Sequence, residues 1–201
     1  MKPVEFWFEF ASTYSYPAAM RIERLAAQAG AQLRWRAFLL GPIFHAQGWN
    51  DSPFNLQPAK GRYMWRDLER ICERDGLPFQ RSSVFPRNAL LPARIACEFA
   101  DAEWLPAFVR NTYVASFGED RDITSVEVIT GLLQELGQPA SAIIERAQTP
   151  EAKLRLREQT AEAERRGIFG APTLFVDDEM FWGNDRLEAA FEWWRRPGTA
   201  T

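Results

Sequence analysis

Val4-Glu5-Phe6-Trp7-Phe8-Glu9-Phe10-Ala11-Ser12-Thr13-Tyr14-Ser15-Tyr16-Pro17 is the stretch from which the rest of the chain is read. Residues 4–10 are rich in β-branched and aromatic side chains, the composition of a strand. An amphipathic helix over 14–29 follows, with Pro17 tolerated in its first turn and Gly30 closing it. The segment 32–39 (QLRWRAFL) alternates apolar and polar side chains, which predicts a second strand. Together these pieces form a β-α-β unit with a right-handed crossover. Ser12 falls at the junction of strand and helix, where backbone N–H groups lack partners and the helix dipole is positive. Ser12, Thr13 or Ser15 can simply cap the helix there. A hydroxyl in that field can also hydrogen-bond an anion brought by another molecule.

Composition narrows the possibilities. A chain of 201 residues fits one compact domain, or one domain carrying a large insertion. Its 46% hydrophobic and 25% charged residues are those of an ordinary globule. A net charge of −3 supplies no field for a polyanion, so nucleic acid is not an expected partner. No apolar run approaches the ~20 residues of a membrane span. No basic segment followed by an apolar core opens the sequence, so the cytoplasm is the expected compartment. The two cysteines, Cys72 and Cys97, fall on apolar or small-residue helical stripes and read as buried hydrophobes. With no CxxC spacing, neither a dithiol nor a four-ligand zinc site is available, and no metal is expected.

The middle of the chain reads as helical. Helices are predicted over 60–75, stopped by Gly76 and Pro78, over 89–100 with Pro92 in the first turn, and over 103–117. Thr124 with Glu127 forms a capping box for a helix over 125–136, a short helix covers 140–147, and Thr149-Pro150 opens another that ends at Gly167. Two strands, 172–176 and 179–182, pair across Asp177-Asp178, and a last helix spans 185–196 before Pro197. Asn184 or Asp185 can cap that helix.

The segments FEFASTYSYPA, GRYMWRDLER, GIFGAPTLFV and FWGNDRL, in this order, resemble the family of 2-hydroxychromene-2-carboxylate isomerases, kin of kappa-class glutathione transferases and DsbA-like oxidoreductases. The resemblance implies an α/β, thioredoxin-like fold with a large all-helical insertion. The thioredoxin-like part would be 1–58 and 149–201, and the insertion 59–148. Ser12 stands where the family keeps its catalytic serine, and Ser15 completes a spacing that redox members fill with two cysteines. The resemblance implies that Pro172 is cis, leaving the N–H and C=O of Ala171 unpaired beside Ser12 for an extended peptide, and glutathione is such a peptide. Asn184 and Asp185 would grip its γ-glutamyl end, the helix N-terminus taking the carboxylate and Asp185 the ammonium. His45 and Asn55 would contact glutathione, and Asn88 and Tyr14 would face the substrate. Asn88 is also a good N-cap, and His45 reads equally well as an ordinary loop histidine. Two positions depart from the family: Thr13 replaces a proline and His45 a lysine.

The chemistry so implied is thiolate stabilisation. A free thiol has a pKa near ~8.5. A hydrogen bond to the charged form contributes roughly 1.5–3 kcal/mol and a helix N-terminus roughly 0.3–2, enough together to lower that pKa by about two. The resemblance therefore implies a glutathione-dependent isomerase of a small aromatic α-keto acid, working as a homodimer. A kappa-like glutathione transferase is the alternative, followed by a non-catalytic glutathione- or peptide-binding module. Thiol–disulfide exchange lacks its cysteines.

Overall fold

The computed structural model describes residues 3–196. β1 (Val4–Phe8), α1 (Ser15–Ala29) and β2 (Leu33–Ala37) form the β-α-β unit, with Val4 opposite Leu33 and Phe8 opposite Ala37 in a parallel pair. β1 stops two residues early because the chain turns, the Ser12 N–H donating to the Glu9 carbonyl at 3.0 Å. Gly30 ends α1 in the left-handed region at φ 72°, where a Cβ would be strained. β3 (Thr173–Val176) and β4 (Glu179–Trp182) complete a mixed sheet of order β2-β1-β3-β4, with β3 antiparallel to both its neighbours.

β1 is central, and that explains its composition. Val4, Phe6, Trp7 and Phe8 are all fully buried, so neither face of the strand sees water. Phe6 and Phe8 pack with Trp35 on one face, and Trp7 packs with Phe38 on the other. The first face is covered by α1 and by helices from the middle of the chain, the second by residues around Ala163 and Ile168.

Between β2 and β3 run α2 (Leu40–Ala46), α3 (Pro53–Leu56), α4 (Pro58–Asp75), α5 (Leu90–Glu98), α6 (Leu105–Tyr113), α7 (Val126–Glu135), α8 (Ala140–Ala147) and α9 (Pro150–Arg165). A 3₁₀ turn (Asn184–Arg186) leads into α10 (Leu187–Trp194). α5 packs on α9 and β2, and α6 on α1, so the helical block is joined to the sheet rather than set apart.

Four expectations need correction. The stretch after β2 is not a loop but holds α2 and α3, and His45 lies in the last turn of α2. Only Leu40 and Ile43 of α2 are buried, too short a stripe to show periodicity. The cap of α7 is Ser125, whose Oγ accepts from the N–H of Glu127 and Val128, while Thr124 bonds Asp122 instead. The predicted helix over 103–117 is α-helical to Tyr113 and then widens into a π turn, Val114–Gly118. Neither Asn184 nor Asp185 caps the final helix, which enters through the 3₁₀ turn without a side-chain cap. The expected stop at Pro197 lies outside the described residues. Among those residues, no helix is long and apolar enough to cross a membrane, and no cluster of metal-ligating side chains occurs.

Candidate active site

The turn after β1 delivers Ser12 to the N-terminus of α1. Its Oγ accepts from the Ser15 N–H at 3.3 Å and donates to the Ala171 carbonyl at 2.9 Å. The Ala171–Pro172 bond is cis, and the loop around it is pinned on both sides. Thr173 Oγ1 donates to the Gly170 carbonyl, and the Gly183 N–H donates to the Pro172 carbonyl, each at 2.9 Å. The expectation that both backbone groups of Ala171 are unpaired is corrected: its C=O holds the Ser12 hydroxyl. Its N–H has no partner among the described residues. Serine has one proton to give, so Ser12 must leave Ala171 before it can serve another acceptor.

Ser12 and Ala171 lie in a cleft of about 850 Å³. Its walls are aromatic: Phe44, Trp49, Phe54, Phe85, Phe169 and Trp182. Phe169 and Trp182 meet edge to face at 4.8 Å while staying 43% and 52% exposed, so apolar surface is held open to a ligand. Trp182 can lie there because residue 170 is glycine: a Cβ on Gly170 would stand 2.4 Å from the indole Nε1.

The proposed contact residues separate into those the fold gathers and those it does not. Tyr14, His45 and Asn88 line the cleft with Ser12 and Ala171. The Tyr14 hydroxyl donates to Asp67 at 3.0 Å, and burial, with Asp67 beside it, raises its phenol, so its ring rather than its oxygen is presented. Asn88 Oδ1 accepts from the Leu90 N–H at 3.3 Å and so also closes the start of α5. Asn55, Pro172, Asn184 and Asp185 are not among the cleft-lining residues. Asn55 donates to Asp51 and to the Phe85 carbonyl at 3.0 Å, tying α3 to the segment that walls the cleft. Asn184 is buried, its Oδ1 accepting from Arg21 Nε at 3.3 Å, and Arg21 also pairs with Glu188. Asp185 is exposed and accepts from Arg186 at 3.0 Å.

Three lining residues escaped the sequence reading. Lys60 carries its Nζ 5.7 Å from the Phe54 ring centre. Arg87 is buried and paired with Asp120, and it donates to the Ser116 carbonyl at 2.9 Å, bracing the wall. Glu9 has its carboxyl pushed up to about 7 by burial, against a hydrogen bond from the Leu40 backbone. In the sequence nothing sets Glu9 apart from the strand residues around it except its spacing of three residues from Ser12.

A family model described as DsbA-like thioredoxin domain matches residues 3–191. The 2-hydroxychromene-2-carboxylate isomerase of Pseudomonas putida is 35% identical over 92% of this chain and 90% of its own length. The enzyme of the same name from Sphingobium xenophagum is 31% identical over 93% and 95%. Human glutathione S-transferase kappa 1 is 27% identical over 93% and 88%. A solved 2-hydroxychromene-2-carboxylate isomerase superposes with a TM-score of 0.82 at 32% identity, covering 92% of this chain and 91% of the other. The chain belongs to the DsbA-like thioredoxin family and, within it, to the 2-hydroxychromene-2-carboxylate isomerase family. Among the described residues, no cysteine or methionine lines the cleft. Burial pushes the Cys72 thiol up to about 12 and the Cys97 thiol up to about 11, and neither lines the cleft. Both are therefore almost wholly protonated at neutral pH and unfit as nucleophiles.

Proposed function

We propose that this chain is a glutathione-dependent isomerase that interconverts 2-hydroxychromene-2-carboxylate and trans-o-hydroxybenzylidenepyruvate. The observation that carries the reading is a serine hydroxyl at the N-terminus of α1, 2.9 Å from the carbonyl of a cis-proline loop, at an aromatic cleft of about 850 Å³. The named isomerase relatives support it. Bound glutathione supplies a sulfur that adds to the conjugated double bond and is expelled after rotation about the resulting single bond.

The residues present fit that ligand. An extended peptide finds a backbone donor in the Ala171 N–H and, once Ser12 turns away, an acceptor in the Ala171 C=O. The Ser12 hydroxyl so released holds the sulfur as an anion, helped by the positive end of α1. Because this exchanges one hydrogen bond for another, Ser12 contributes the difference between a charged and a neutral bond, about 1 kcal/mol, and the helix supplies the remainder. The exposed Asp185 carboxylate, bonded to the neighbouring Arg186, is assigned to the γ-glutamyl ammonium. Phe54, Phe169 and Trp182 cover an aromatic ring, Lys60 offers a cation to an α-keto acid carboxylate, and His45 lines the same cleft as a contact for glutathione. The reading extends to a cytoplasmic homodimer.

A kappa-like transferase is the second reading, favoured by the human kappa-class relative. Product analysis separates the two: total glutathione stays constant for an isomerase and falls stoichiometrically for a transferase. The decisive test is an ultraviolet titration of the complex with glutathione. Thiolate absorbance should appear with a midpoint about one to two pH units below that of free glutathione, and Ser12→Ala should move it back by about one. A midpoint unchanged from free glutathione, or unmoved in the variant, would sink the assignment.

A further inference from the structure

Glu9 leaves β1 one turn ahead of Ser12, and the turn that joins them brings both residues to the same cleft. Its carboxylate accepts a hydrogen bond from the Leu40 N–H, and no cation is paired with it among the described residues. The other ionisable groups around it are engaged elsewhere or stand apart. Arg87 pairs with Asp120, Asp51 holds Asn55, and Tyr14 donates to Asp67. Lys60 lies against Phe54, His45 sits in the last turn of α2, and exposed Tyr63 stands near Arg70. Behind the floor, Tyr113 of α6 donates to the Glu9 carbonyl at 2.8 Å, and burial raises its phenol well above the ordinary value.

Such a site holds one negative charge at much lower cost than two. An ionised Glu9 beside a neutral thiol and a neutral Glu9 beside a thiolate carry the same net charge. Forming the thiolate with Glu9 still ionised would place two anions on one floor.

We propose that Glu9 is the base that takes the thiol proton when glutathione docks against Ser12. The S–H bond breaks and leaves its electron pair on sulfur, an O–H bond forms on the Glu9 carboxyl, and nothing is oxidised. When the tripeptide leaves, the proton returns to it. Glu9 is poised for this, because burial without a cationic partner sets its proton affinity near that of a thiol in a positive field. This inference rests on the glutathione reading above.

The test counts protons. Glutathione is bound to the whole protein at pH 8 in two buffers of different ionisation enthalpy, with calorimetry reporting protons released and ultraviolet absorbance reporting thiolate. The native chain should form thiolate while releasing fewer than about half a proton per site, because Glu9 retains it. Glu9→Gln should release close to one proton for each thiolate formed, and Glu9→Asp should restore retention. Equal proton release in the native chain and Glu9→Gln, with thiolate still formed, overturns the role of Glu9 and leaves the glutathione reading standing. Near-unit release by the native chain overturns that role even if Glu9→Gln fails to fold. Absence of any thiolate in the native complex overturns both.

Discussion

Replacing Glu9 with glutamine should make the fold more resistant to rising pH, whatever the ligand. The carboxyl titrates at about 7 in the folded chain against an ordinary 4.5. A group whose folded pKa is raised contributes its full stability below the unfolded value and loses it as pH climbs through the folded value. Between pH 5 and pH 8 the ionisation of Glu9 therefore removes about 2.5 kcal/mol, most of it before pH 7. Glutamine has no charge to desolvate and loses nothing. The remaining perturbed carboxyls, Glu5, Asp75, Asp120, Asp122 and Glu127, are all held below their ordinary values and titrate at lower pH. They cancel when the two proteins are compared. For a chain of this size the difference in Tm, variant minus native, should grow by roughly 5–10 °C between pH 5 and pH 8. Urea or thermal melts at four pH values read it directly. A difference that stays flat across that range would mean that Glu9 is hydrated in the folded state and that its placement on a walled floor is wrong.

Gly170→Ala should tilt the Trp182 indole away from the cleft, since the added Cβ would stand 2.4 Å from Nε1. We expect weaker binding of planar aromatic ligands by about 10-fold, seen as altered Trp fluorescence on titration, with fold stability lowered by about 1–3 kcal/mol; unchanged binding would remove Trp182 from the ligand wall. Arg87→Ala should cost about 1–3 kcal/mol in chemical denaturation, because it removes the buried guanidinium that donates to the Ser116 carbonyl and to Ser82 Oγ. A loss below about 1 kcal/mol would show that water replaces the guanidinium.

Local chemistry was legible wherever one residue type has a single structural use. Gly30 and Gly76 end α1 and α4 with positive φ, and Thr149 caps α9 by accepting from the Ala152 N–H at 3.2 Å. Pro172 directly precedes β3, and the hairpin turns at Asp177, which takes φ 54°. Legibility failed where adjacent residues compete for one role. Thr124 and Ser125 can both cap α7, and Asp122 decides between them by occupying Thr124. It failed again at Asn184, whose amide was read toward a ligand but is drawn inward by Arg21, 163 residues away in sequence.

The β-α-β unit, the β3–β4 hairpin and the place of Ser12 at a helix mouth follow from the chain's own pattern, because strand and helix periods and helix-ending glycines are local properties. What Ser12 does with its proton is not local. Its acceptor, Ala171, lies 159 residues away and reaches it only through the pairing of β1 with β3. The proton affinity of Glu9 is of the same kind, since desolvation is the sum of everything packed around a carboxyl, and no stretch of sequence contains its own surroundings.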